Sequence, residues 1–162
     1  MDTGRWSLLS NVIGGETARY FAQAGASRIA LIGRREQPLL DSKTWIMERC
    51  HNTEIITISA DVARKEDMNA AFSDFAKDHK IDVLLHAAVV SGPKDEISDV
   101  DGKEQLKTLQ TNLSESLFVA QAFVRHAAPD PVAVATNSFG AHLSLNNAFA
   151  WYCVAKTAVY RL

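Results

Sequence analysis

The 162-residue sequence contains only two cysteines, Cys50 and Cys153. They lie far apart, with no CxxC pair and no Cys/His cluster around either. This excludes a disulfide framework and a zinc site and predicts two reduced thiols. Charge of one sign is also scarce. The formal net charge is -2, and Lys and Arg are scattered singly among acidic neighbours, so neither nucleic acid nor an anionic membrane surface is an expected partner. Long apolar runs are missing as well. No stretch reaches bilayer-spanning length, and the opening MDTGRWSLLSNVIGG lacks the basic-then-apolar pattern of a secretory signal. The expected setting is cytoplasmic, the expected ligand a small molecule, and the Asn-Leu-Ser sequon at Asn112 a chance match.

With 47% hydrophobic residues, 22% charged residues and no repeat, low-complexity tract or linker, residues 1–162 read as one globular domain with one core. Short β-rich runs at Arg28–Ile32, Glu54–Ile58, Val83–Ala87 and Val132–Thr136 alternate with helix-length segments. Trp6–Leu9 is a weaker first strand. A first helix is expected over Glu16–Gln23, ending at Gly25 as a positive-φ cap, and a second after Pro38. Met68, Ala71, Phe72 and Phe75 share one helical face. So do Leu106, Leu109, Leu113, Leu117, Ala120 and Val124, and each stripe is expected to lie on the sheet. Ser91–Lys103 reads as a surface loop before that long helix. The alternation predicts an α/β, doubly wound parallel sheet (Rossmann-like), with ligands beyond the carboxyl ends of its strands.

The candidate chemistry lies in W-Y-C-V-A-K, where Tyr152 and Lys156 stand four residues apart and therefore on one helical face. A phenol is a weak proton donor or acceptor at neutral pH, and a nearby ammonium favours its ionised form. Upstream, T-N-S-F-G places Ser138 at the carboxyl end of the Val132–Thr136 strand, where a hydroxyl can bond a substrate carbonyl. Ser138 also reads simply as a turn residue.

Together these residues resemble the short-chain dehydrogenase/reductase family, classical type, in which a serine after the fifth strand is followed by YxxxK on the next helix. The resemblance runs from Ile13 onward. G-G-E-T-A-R-Y-F-A-Q-A-G-A is similar to the family's first helix, I-G-R-R to the end of its second strand, and A-D-V to the end of its third. V-L-L-H-A-A-V is similar to the fourth strand and its Asn-Asn-Ala-Gly motif, and T-N-L-S to the helix carrying the family asparagine.

The resemblance implies an oxidoreductase that moves a hydride between nicotinamide and a small-molecule carbonyl or secondary alcohol. Tyr152 would be the general acid/base. Lys156 would lower its pKa and hold the nicotinamide ribose, Ser138 would orient the substrate oxygen, and Asn112 would position a water in the proton relay. Gly14 would be the last glycine of the phosphate-binding turn, and Asp61 with Val62 would contact the adenine. Asp61 also reads as an ordinary helix N-cap. At the end of the second strand, Gly33-Arg34-Arg35 favours NADP over NAD, with Arg34 on the 2′-phosphate.

The sequence departs from the family pattern in three places. Aligned on Gly14, the first two glycines of Thr-Gly-x-x-x-Gly-x-Gly become Leu8 and Val12, whose side chains would resist positive φ and crowd a pyrophosphate. The Thr3-Gly4 pair lies too far upstream to replace them. His86-Ala87-Ala88-Val89 stands where amides brace the central strands, and His86 reads as a core histidine rather than a catalytic one. His142 reads as surface. The chain also stops inside the helix bearing Lys156, which predicts an incomplete sheet lacking the last strands and an exposed edge on the Val132–Thr136 strand. That edge invites a partner or a homo-oligomer. A non-catalytic truncated member, an incomplete gene product or an interaction domain is thus the alternative to an enzyme. Phe149 and Trp151 hint at an apolar substrate wall.

Overall fold

The computed structural model describes residues 5–9, 12–93, 96, 98–142 and 150–162, with the backbone alone at 5–9 and 12. Strands and helices alternate: β1 (Arg5–Leu9), α1 (Val12–Gln23), β2 (Arg28–Gly33), α2 (Glu36–Met47), β3 (Glu54–Ser59), α3 (Lys65–Phe75), β4 (Ile81–His86), α4 (Gly102–His126), β5 (Ala127–Ala135) and α5 (Ala150–Tyr160). A short 3₁₀ turn, Phe139–Ala141, links β5 towards α5. The five strands form one sheet in the order β3-β2-β1-β4-β5, and every pairing is parallel. The chain therefore winds outward from β1 in one direction and then reverses to β4, the topology in which a cleft opens at the reversal point. Among the described residues no helix is long and apolar enough to cross a membrane.

The sheet carries two apolar layers. On one face Ala18 and Ala22 of α1 and Leu39 and Ile46 of α2 meet Ile29, Leu31 and Leu85. On the other, Met68, Ala71, Phe72 and Phe75 of α3 join Val119, Ala122 and Phe123 of α4 over Ala30, Ile32 and Leu84. Alternate residues of β2 thus enter opposite cores, as the two-residue period of a strand requires. The α3 stripe is the expected one. So is the end of α1, where Gly25 takes a φ of 95°, its N–H donates to Ala22 O at 3.1 Å and the Ala26 N–H to Phe21 O at 3.0 Å. These two bonds satisfy carbonyls that the helix would otherwise leave open.

Other expectations are corrected. The second helix begins at Glu36 rather than after Pro38, because a proline in the first turn forfeits only an N–H that has no intrahelical partner. Leu8 and Val12 do not sit in a turn: Leu8 belongs to β1, opposite Leu31 and Leu85, and Val12 opens α1. Only Ser10 and Asn11, outside the described residues, separate strand from helix. The positive φ expected to trouble Leu8 and Val12 is not required there, since among the described residues only Gly25 and Gly92 adopt it. Thr3 and Gly4 also lie outside the described residues.

The largest correction concerns α4. Its leucine stripe does not face the sheet: Leu106 is 59% exposed and Val124 75%, with Leu117 and Ala120 also open to solvent. The inward face of its first half is instead Gln105, Thr108, Asn112, Glu115 and Ser116, all buried. Most of these polar side chains are accommodated because they find backbone partners. Gln105 donates to Pro93 O at 3.3 Å, Thr108 to Glu104 O at 3.0 Å and Ser116 to Asn112 O at 2.9 Å.

Candidate active site

All the strand ends expected to carry chemistry open on the same side of the sheet. There, Gly33, Arg34 and Arg35 after β2, Asp61 and Val62 after β3, Val89 and Val90 after β4, and Thr111 and Glu115 of α4 line a cavity of about 510 Å³. Three of the predicted cofactor residues, Arg34, Asp61 and Val62, therefore share one concavity. Gly14 lies apart from its lining, buried within α1. Asp61 is held by local bonds: its Oδ1 accepts from the Ala63 N–H at 3.0 Å, and its own N–H donates to Asp67 Oδ2 at 3.0 Å. It closes a turn ahead of α3 and is not that helix's N-cap, which is Arg64.

At the far end of the sheet, β5 delivers Thr136 and Ser138. The Thr136 N–H donates to His86 O at 2.8 Å, continuing the β4–β5 ladder by one step. Ser138 is half-buried, and its Oγ accepts from the Gly140 N–H at 3.2 Å, capping the 3₁₀ turn. That turn packs on α5, where Thr157 donates to Ala141 O at 3.2 Å. One face of α5 carries half-buried Tyr152 and, one turn on, Lys156. Lys156 is only 5% exposed, and its Nζ donates to Thr136 O at 3.0 Å. Burial holds the Lys156 ammonium below its ordinary pKa, and the Glu115 carboxylate partly opposes that.

Between these two regions runs the polar face of α4. Asn112 accepts from the Val90 N–H at 3.0 Å and donates to Val90 O at 2.9 Å and to Thr108 O at 3.0 Å. Both amide hydrogens are committed, so one lone pair on Oδ1 is its remaining capacity. This clamp fixes the segment after β4. Two residues further, Gly92 has a φ of 72° and passes so close to Thr108 that an added Cβ would fall 2.8 Å from Thr108 Cγ2. His86 is buried as a core histidine, with Nε2 3.2 Å from Ser116 Oγ and Nδ1 without a partner among the described residues. Burial, with the Lys156 charge beside it, pushes its pKa down to about 4. The ring is therefore neutral at physiological pH.

Glu115 went unrecognised in the sequence. It is 3% exposed, and its pKa is pushed up to about 7 by burial, against the pull of Lys156 and Arg34 and with a contribution from Asp61. The signal was its spacing: with Thr108, Asn112 and Ser116 it marks a second helical face, polar in the first half of α4 and continued by Val119, Ala122 and Phe123, that the leucine stripe overshadowed. Of the two aromatics expected to form an apolar wall, Trp151 is half-buried and Phe149 lies outside the described residues. His142 is exposed, as expected, and its ring meets that of Tyr160 edge-on at 4.8 Å.

Comparison with known proteins agrees with this architecture. Residues 9–162 match the family described as enoyl-(acyl carrier protein) reductase. The chain is 31% identical over 160 residues to the short chain dehydrogenase tazN of Aspergillus terreus, covering 94% of this chain and 34% of that protein. It thus spans about a third of that relative's length. Among solved structures, NAD+-bound xylitol dehydrogenase superposes with a TM-score of 0.89 at 21% identity, covering 99% of this chain and 62% of that one. A short chain dehydrogenase from Escherichia coli CFT073 in complex with NADPH gives 0.84 at 21% identity, covering 98% and 68%. The parallel sheet, its strand order and the match from Leu9 to Leu162 place this chain in the short-chain dehydrogenase/reductase family.

Proposed function

We propose that this chain carries the site of an NADP-dependent ketoreductase-type oxidoreductase, acting on a carbonyl or secondary alcohol of a small molecule in the cytoplasm. The observation that carries the reading is the shared cavity of Arg34, Asp61 and Val62, with Lys156 anchored beyond it at the end of β5. The residues fit the adenosine end of such a cofactor. A concavity of about 510 Å³ with Arg34 and Arg35 at its rim suits a ribose bearing a 2′-phosphate, and an arginine rather than an acid at the end of β2 favours NADP over NAD. Asp61 and Val62 would border the adenine, and Gly14 would let α1 lie close to the sheet behind the pyrophosphate.

The bound cofactor would supply or accept the hydride. Tyr152 would pass the proton to or from the substrate oxygen while Ser138 donates a hydrogen bond to the same oxygen. Lys156 has three N–H donors and gives one to Thr136 O, which leaves two for ribose hydroxyls and a positive charge on the Tyr152 side of α5. Asn112 would hold a water at its remaining lone pair, while its clamp on Val90 keeps the cleft wall in place.

Leu8 and Val12 in place of two motif glycines favour a second reading, a non-catalytic family member serving as an interaction domain, because glycines let backbone approach a pyrophosphate most closely. Titration with NADPH followed by cofactor fluorescence decides between them. Saturable binding that Arg34→Ser weakens at least tenfold for NADPH and little for NADH supports the enzyme. No signal at millimolar NADPH sinks it. The outward leucine stripe of α4 supports a homo-oligomer in either case.

A further inference from the structure

The least expected group in the cleft is the Glu115 carboxyl. It borders the cavity with Arg34, Asp61 and Thr111, yet its residue is only 3% exposed. Its neighbours on α4 are bonded, Asn112 to Val90 and Thr108, and Ser116 to Asn112 O. Glu115 is thus a largely buried acid placed against the open space of the cavity, where a ligand can meet it. Such a group either neutralises itself or meets a ligand.

We propose that Glu115 is a ligand-selecting residue of this cleft, coupling the binding of a phosphate-bearing nucleotide to the uptake of one proton. The inference rests on the NADP reading above and adds to it a residue that the family pattern does not supply. Four groups govern the coupling. Arg34 after β2 and Lys156 on α5 attract the ionised carboxylate, Asp61 after β3 repels it, and His86 on β4 acts on Lys156 as a neutral ring. When Glu115 is ionised it competes with a ligand phosphate for Arg34 and with the ligand ribose for the Lys156 charge. A proton on Glu115 releases both cations to the ligand and leaves an O–H that can donate to a phosphate or ribose oxygen. Burial raises the Glu115 pKa to about 7, so this exchange falls in the neutral range.

The test is the pH dependence of NADPH affinity in the wild-type chain and in Glu115→Gln, which keeps the side-chain volume and removes the titrating proton. The ligand's own phosphate titration is common to both proteins and cancels in the ratio. Above about pH 7 the ratio of wild-type Kd to Glu115→Gln Kd should rise by up to about tenfold per pH unit. Calorimetry at pH 8 in buffers of different ionisation enthalpy should show proton uptake on binding to wild type and none attributable to position 115 in the variant. A ratio that stays constant with pH, or equal proton uptake by both proteins, overturns the role of Glu115 while leaving the cofactor reading intact. If neither protein binds NADPH at any pH, both are overturned.

Discussion

Lys156 and Thr136 are joined by a 3.0 Å hydrogen bond from the ammonium of α5 to the carbonyl that ends β5, spanning twenty residues of sequence. The bond does two things. It satisfies a buried cation, and it fixes the helix that carries Tyr152 against the segment after β5 that carries Ser138.

Lys156→Met should therefore cost stability as well as chemistry. A charged hydrogen bond is worth about 1.5–3 kcal/mol, offset in part because methionine needs no desolvation. Urea unfolding should show a loss of about 1 kcal/mol, and Lys156→Arg should recover less than half of it, because the planar guanidinium does not fit an ammonium's place. Carbonyl reduction with NADPH should fall at least 100-fold in Lys156→Met. A variant as stable and as active as wild type would show that the bond anchors nothing.

His86 and Glu115 predict opposite pH slopes of stability. His86 falls from its ordinary 6.5 to about 4 on folding, so between those values the unfolded chain binds more protons and stability rises with pH. Glu115 rises from 4.5 to about 7, so in that window the folded chain binds more protons and stability falls as pH rises. In the wild type the two nearly cancel between about pH 4.5 and 6.5. Glu115→Gln should expose the rising limb and gain about 3 kcal/mol relative to wild type on going from pH 4.5 to pH 8. His86→Asn should expose the falling one. Parallel urea midpoint curves for all three proteins across this range would contradict the assignments.

The exposed stripe on α4 predicts self-association. Leu106, Leu117 and Val124 lie about two to five turns apart on one outward face, and pairing two copies there would bury them. Sedimentation velocity should show a concentration-dependent dimer in wild type, and Leu117→Arg with Val124→Arg should return the chain to monomer without lowering its melting temperature. A wild-type chain that stays monomeric at 100 µM or so excludes this surface as a stable interface.

Much of the fold could be read along the chain. Each of the runs at Arg28, Glu54 and Val83 became a strand within a residue or two of its expected span, because short β-branched segments bounded by turn residues have few other ways to bury themselves. Gly25 and the α3 stripe followed from equally local rules. The pair Tyr152 and Lys156 was visible because a spacing of four on a helix is a local property. By itself, the sequence determined the elements, their order and the family.

The orientation of α4 was decided only by the tertiary structure. Its leucines form one apolar stripe, yet the other face turned inward, because Val119, Ala122 and Phe123 join the core and the segment after β4 offered the polar half Val90 and Pro93 backbone partners that no local pattern reveals. That rotation placed Glu115 in the cleft with Arg34 and Asp61, residues from three separate parts of the chain. Hydrophobic periodicity ranks the faces of a helix by transfer from water. Which face is buried depends on whether the buried polar groups find partners, and those partners are set by the sheet.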